Sequence, residues 1–300
     1  MGGFLVWYSL TIVSPEELAK YFKEANYSWI ALGLFFGILS HLSRAYRWKF
    51  LLEPLGYKPS FLNSTLAVLV AYLMNIFLPR AGEVTRAAVM TNYENIPFEK
   101  GFGTIVAERL ADLIMMLIIV GITLFIQFDF IWELLTKDFN PIKTIGTLVV
   151  AIAFFVAFII YIKKGKSKFA QKVKGFFLGL KDGVLSIFKM KNKWAFIIHT
   201  VFIWVMYVAM FWATIPAVSG LEVPFGGILI GFIAGGFSIA ATNGGVGLYP
   251  VAVAGALALF GIDKVTGNAF GWIMWTAQTA MVIVFGGLAF LLLPVVNKNK

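Results

Sequence analysis

Asn75-Ile-Phe-Leu-Pro-Arg-Ala-Gly-Glu-Val-Thr-Arg86 follows an apolar run that begins at Phe61 and puts Pro79, Gly82 and three charges where a membrane helix would otherwise continue. It reads as a helix broken inside the bilayer. Lipid cannot satisfy free backbone N–H and C=O groups, so irregular backbone at that depth survives only when buried in protein or lining a wet cavity. Ionisable side chains there are costly and usually functional. Arg80, Glu83 and Arg86 are therefore candidates for a substrate site, with Asn75 leading into the break. The alternative is a helix that ends at the surface, with Glu83 and Arg86 as a solvated pair.

Composition sets the class. Of the 300 residues 60% are hydrophobic and only 13% charged, against about a quarter charged in soluble domains. The chain is an all-α polytopic membrane protein. It contains no Cys, which excludes disulfides, thiolate metal sites and cysteine nucleophiles, and its two His, at 41 and 199, make a histidine metal site unexpected. No metal and no cofactor are expected. The net charge of +10 would suit nucleic acid if it were spread over a domain, but it is concentrated in one loop. No nucleic-acid partner is expected.

Working outward from the break, residues 2–13 are apolar but short of the roughly 20 residues that cross a bilayer, and read as a trimmed first span. Ser14, Pro15 and Glu17 open an interfacial helix with an N-cap and a capping-box acid. Residues 29–52 form the first full span. Its last turns carry Arg44, Arg47, Trp48 and Lys49, read as an interfacial anchor, with a lipid-phosphate contact by Arg44 and Arg47 as the alternative. His41 and His199 read as span-end residues.

Charge bias orients the rest. Between 163 and 193 there are ten Lys against the single Asp182, so this loop, flanked by spans 142–162 and 194–215, is expected to be cytoplasmic. Phe169, Val173, Phe176, Leu180 and Val184 recur at helical spacing among those Lys, as in an amphipathic surface helix that binds anionic lipids. Residues 127–141 form an external loop after span 104–126, and the C-terminal Lys298 and Lys300, after span 268–293, are cytoplasmic. Parity then makes residues 61–103 leave and return on one side. They form a re-entrant pair, 61–78 going in, a break at 79–82, and a short return helix bearing Glu83 and Arg86.

A second interrupted region runs from an apolar 224–241 through Thr242-Asn-Gly-Gly-Val-Gly-Leu-Tyr-Pro250 to an apolar run ending at 260. Asn243, Gly244, Gly245 and Gly247 let the backbone turn or a ligand approach closely, and the following helix N-terminus would offer free N–H groups to an anion. Close helix packing is the other account of such glycines, and parity fits a full crossing as well as a re-entrant pair. Symmetry favours the pair. Residues 1–126 and 142–300 then become two halves of an inverted repeat within a single membrane domain of 1–300, with about six full spans and two re-entrant pairs. That plan is typical of transporters with the site at the repeat interface.

Glu108, Arg109 and Asp112 open the span 104–126 on one face or its edge. With Arg80, Glu83 and Arg86 they would make a neutral six-charge network, which is how buried charge becomes tolerable.

The run Asn75, Pro79, Arg80, Gly82, Glu83 and Arg86, followed by Ala107-Glu-Arg-Leu-Ala-Asp-Leu113, resembles the signature of the flippase-like, lysylphosphatidylglycerol synthase transmembrane-region family. Gly244-Gly-Val-Gly247 resembles its second glycine motif, and Arg44 to Trp48 its basic segment. The chain departs from that pattern in having Asn243 before the glycines and Pro250 after them. The resemblance implies lipid handling. The soluble domain of the synthase members is not expected in a chain ending at Lys300, nor is aminoacyl-lipid synthesis.

The expected function is a lipid transporter, not an enzyme, that moves a phospholipid or lipid-linked head group between leaflets of a bacterial or archaeal cytoplasmic membrane. Arg80, Arg86 and Arg109 would meet the phosphate. Glu83, Glu108 and Asp112 would hold those arginines or meet a cationic head group, and the glycine turn would line the opposite half of the path. An intramembrane lipid-modifying enzyme and a scaffold binding anionic lipid are the alternatives, and a homodimer is an open alternative to a monomer.

Overall fold

The structure, a computed structural model, describes residues 2–78, 80–136 and 190–298, with Phe154, Ile160, Tyr161, Ser167 and Gln171 as isolated positions. The expected span 142–162 and the basic amphipathic segment 163–193 lie almost wholly outside the described residues. Packing divides the chain into two units, Met1–Val120 with Lys191–Lys300, and Gly121–Met190.

The helices of the described residues are α1 (Gly2–Ile12), α2 (Pro15–Glu24), α3 (Tyr27–Leu52), α4 (Phe61–Phe77), α5 (Ala81–Glu94), α6 (Phe98–Ile126), α7 (Phe128–Thr136), α8 (Lys193–Thr214), α9 (Phe225–Ala241), α10 (Leu248–Ala258) and α11 (Lys264–Val296). Local chemistry starts several of them. Ser14 accepts from the Glu17 amide (3.2 Å), Ser60 from Asn63 (3.1 Å), and Asp263 from Val265 and Thr266 (3.0 and 3.1 Å). Each side chain satisfies an amide that the first turn leaves free.

Among the described residues, four helices are long and apolar enough to cross a membrane: Tyr27–Leu55, Phe98–Ile126, Lys193–Ala217 and Lys264–Val296. Apolar side chains face outward on them, Leu117 on α6, Trp212 on α8 and Val295 on α11 among them. In a soluble protein such a surface would aggregate. In a bilayer it is the contact with lipid.

The other apolar helices pair into hairpins. On α4 and α5, Gly82 packs on Ala71 near the break, and Asn63 bonds to Glu94 at the far end, so the two run antiparallel and begin and finish together. The seventeen residues of α4 span about 25 Å. On α9 and α10, Gly235 meets the Tyr249 ring and Gly227 the Phe260 ring, which again requires antiparallel helices. The second interrupted region, open between a full crossing and a pair on sequence grounds, is therefore a helical hairpin. Its core, with α8 and α11, is built on Phe211, Val253, Leu257, Phe270 and Ile273, all essentially without exposed surface, and Phe211 meets Phe270 edge to face at 5.2 Å.

Two sequence boundaries are corrected. The helix after the first hairpin starts at Phe98 rather than 104, because Lys100 and Gly101 bond back to the Pro97 carbonyl and open it early. The expected external loop begins instead with α7, where Phe128 and Trp132 lie one turn apart and stack at 6.1 Å.

Candidate functional site

The break sits between α4 and α5. Asn75 accepts the Gly82 amide (2.8 Å), one of the donors that the start of α5 leaves free. Arg80 occupies the left-handed region, φ 63 and ψ 6, where a non-glycine residue costs about 1–3 kcal/mol and marks sites held by their surroundings. A Cβ on Gly82 would overlap the Ala71 carbonyl oxygen. Glycine here is what lets α5 fold back against α4, carrying Glu83 and Arg86 toward α3 and α6.

There they enter a charge cluster. Arg44 Nη1 donates to Glu108 Oε1 and to Asp112 Oδ2, both at 2.6 Å. Arg47 Nη2 donates to Asp112 Oδ1 (3.1 Å) and lies 3.2 Å from Glu108 Oε1, while its Nη1 donates to Thr200 (2.9 Å). Arg86 Nη1 donates to Glu108 Oε1 (3.1 Å), and its guanidinium lies over the Trp48 ring at 3.7 Å. Arg109 bridges Glu83 (3.5 Å) and Asp112 (3.6 Å) at the edge. Arg44, Arg47, Arg86, Glu108 and Asp112 are buried, Arg47 and Glu108 completely. Among the described residues four guanidinium groups face three carboxylates, a net charge of +1.

This surplus meets a cleft lined by Arg44, Tyr72, Asn75, Gly82, Glu83, Arg86 and Arg109. Its free space is about 10 Å³, the room of a single water, so this conformation is closed to anything larger. Arg44 Nε, Arg86 Nε and Glu83 Oε2 are buried without a hydrogen-bond partner among the described residues. Guanidinium groups with idle donors can bind a planar or tetrahedral oxyanion bidentately.

The neutral six-residue network expected from sequence is thus corrected. Glu83, Arg86, Glu108, Arg109 and Asp112 come together. Arg80 does not: it is exposed and makes no ion pair among the described residues. Arg44 and Arg47 take its place, not as interfacial anchors but as the main partners of Glu108 and Asp112, more than sixty positions away in sequence. The signal was the stripe Ser40, Arg44 and Arg47 along one side of a span, polar at helical spacing and buried.

The glycine turn is not part of this cleft. Gly244, Gly245 and Gly247 all have positive φ, and Gly244 accepts from Trp275 Nε1 at 2.7 Å. A Cβ on Gly247 would come 2.5 Å from the Val6 nitrogen. The start of α10, expected to be open to an anion, is therefore covered by α1, which Ser9 fastens to Asn268 (3.1 Å) and Trp272 (2.9 Å). Asn243, beside those glycines, reaches the first hairpin, donating to the Ile76 carbonyl at 2.9 Å. The two broken regions meet through that bond.

Both histidines are corrected as span-end residues. His41 lies well inside α3, buried, its ring 4.3 Å from that of Tyr72. His199 is the sixth residue after Lys193 and shares a 2.8 Å hydrogen bond with Ser43 through Nδ1. Tyr72 hydrogen-bonds Tyr207 (3.0 Å), whose hydroxyl accepts from Arg44 (3.4 Å), so the aromatic pair abuts the charges. Among the described residues no group of three or more His, Asp or Glu could hold a metal ion.

Comparison with known proteins points to a membrane family. The family model described as lysylphosphatidylglycerol synthase TM region matches residues 1–293. The UPF0104 membrane protein MJ1595 of Methanocaldococcus jannaschii is 30% identical over 106 residues, 34% of this chain and 32% of that protein. Glycosyltransferase AglD of Haloferax volcanii is 28% identical over 113 residues, 37% of this chain and 18% of that protein. The matched stretch thus spans a third or less of either relative. No solved structure matches the chain.

Proposed function

The chain belongs to the lysylphosphatidylglycerol synthase TM region family, and on that premise we propose that it is a lipid transporter moving an anionic phospholipid or lipid-linked head group between leaflets. The observation that carries this reading is the buried cluster with one surplus positive charge and idle arginine donors at the break of a hairpin. A purely structural network would be expected to balance its charges, because an unpaired buried ion costs several kcal/mol. A phosphate group supplies the missing negative charge.

The repeated plan supports the same reading. A long helix, a hairpin and a second long helix occur as α3, α4–α5, α6 and again as α8, α9–α10, α11. The counterparts α3 and α8 are antiparallel, with Gly37 against Met210 and Ser43 against His199. We take this as an inverted repeat with two re-entrant pairs, its 163–193 loop and C-terminus cytoplasmic by the positive-inside rule. That loop would hold anionic lipid.

Leaflet exchange of head-group-labelled lipids by purified protein in liposomes tests the proposal. Arg86→Ala and Glu83→Gln are expected to lower exchange of an anionic lipid by at least about tenfold, the weight of one charge-assisted bond. Exchange at the wild-type rate in both, from protein shown to be inserted, would exclude the site.

One observation favours a second reading, an intramembrane enzyme acting on lipid. Ser43 and His199 hold a hydroxyl and an imidazole in hydrogen-bond contact, the first two elements of a nucleophile and its base. Among the described residues the imidazole is flanked by Ser43, Tyr46 and Phe50, and no acid orients it, which keeps this reading second. Release of a new product from labelled lipid, lost in His199→Ala, would establish it.

A further inference from the structure

A second cavity, of about 170 Å³, lies between α3, α4 and α11. Leu42, Leu69, Met281 and Val282 line it together with His41 and Tyr72. Such a space is the wrong chemistry for a head group. An apolar cavity of about 150 Å³ stays dry and takes a small hydrocarbon, so this one suits several methylenes of a chain. Phe285 on its wall is 39% exposed, which places the cavity against the lipid-facing surface of α11.

Its position relative to the charges gives it meaning. Tyr72 lines both this cavity and the charged cleft, with its hydroxyl bonded to Tyr207 next to Arg44. His41, 6% exposed, has Nδ1 buried with no hydrogen-bond partner among the described residues, and its ring lies tilted at 40° against that of Tyr72. Charged cleft, idle imidazole nitrogen and dry cavity thus follow one another around one aromatic side chain. A membrane lipid has the same order of parts: phosphate, oxygen-bearing linker, hydrocarbon chain.

We propose that the cavity between α3, α4 and α11 holds one hydrocarbon chain of the lipid whose phosphate enters the charged cleft, with His41 bonding a linker oxygen. The proposal rests on the transport reading for its head-group half only. It makes the substrate an intact lipid held by both ends, rather than a head group whose chains stay in bulk bilayer. Closure of the cleft in this conformation then leaves the chain site as the part already formed.

Photolabelling tests it without relying on transport. Liposomes containing the purified protein and an anionic glycerophospholipid with a diazirine midway along one chain are irradiated, and the labelled residues are mapped by peptide mass spectrometry. Label is expected on Leu42 and Met281. Val282→Trp, which fills the cavity, should reduce it about tenfold, equivalent to about 1.4 kcal/mol of chain affinity. Val282→Ala, which only enlarges the space, should retain it. Label on the outward Leu291 should be the same in all three proteins. Equal labelling of Leu42 and Met281 in the Trp variant, or label confined to Leu291 and its outward neighbours, would overturn the proposal. The two readings fail separately: a labelled cavity in a protein that exchanges no lipid sinks transport alone, and an unlabelled cavity in one that does sinks the chain site alone.

Discussion

Glu108 has no exposed surface and stands among Arg44, Arg47 and Arg86, so its charge holds three cations in place. Glu108→Gln leaves Arg44 and Arg47 with Asp112 as their carboxylate, and Arg86 with none among the described residues. Breaking a buried pair costs about 3–5 kcal/mol, and a marked fall in melting temperature in detergent is expected. Arg80→Ala makes the opposite prediction. The side chain is exposed and makes no ion pair among the described residues, so melting should be unchanged, while exchange of an anionic lipid falls if Arg80 meets the incoming phosphate. A lower melting temperature for Arg80→Ala would assign it to the fold instead. Sequence reading found Glu83, Arg86, Glu108, Arg109 and Asp112 because acids and bases in an apolar run are conspicuous. It misplaced Arg44 and Arg47 because cations beside Trp48 near a helix end match the pattern of an interfacial anchor, and only long-range packing shows what they face.

Helices α4 and α5 are short elements made into one unit by the Asn75 cap and the Gly82 contact. Gly82→Ala puts a methyl group into the Ala71 carbonyl and must splay the hairpin. We expect destabilisation of at least about 2 kcal/mol, at the upper end of overpacking effects, read as a lower melting temperature together with lost exchange. Gly103 on α6 has open space around it, so Gly103→Ala should be neutral or slightly stabilising. If the two variants melt alike, the close approach at Gly82 is not what holds the hairpin. The first hairpin was legible because a run of charge and proline leaves no other parity. The second was not, since glycine serves turns and packing alike, and only the antiparallel seams of Gly235 and Gly227 decide it. The cover that α1 lays over Gly247 had no signature at all: Ser9 and Asn268 are 259 positions apart.

The two hairpins touch through the Asn243 amide and the Ile76 carbonyl, so opening one bears on the other. The chain has no cysteine, which permits a clean test. Ile76→Cys with Asn243→Cys, oxidised, should stop exchange if the hairpins must part, and reduction should restore it. Exchange that continues through the cross-linked protein would mean that they move as one body. The surplus charge of the buried cluster reaches further, into electricity. An empty site that carries one positive charge becomes neutral once it holds a singly charged phosphate, so membrane voltage acts on the empty form rather than the loaded one. Moving a full elementary charge through the bilayer costs about 2.3 kcal/mol per 100 mV, roughly fiftyfold in population. In liposomes polarised negative inside with a potassium ionophore, the empty site is drawn toward the inner leaflet. If the chain transports lipid as proposed, anionic lipid should then be carried preferentially from the inner leaflet outward, and a resting potential of that sign would act as the spring that resets the empty site after each load.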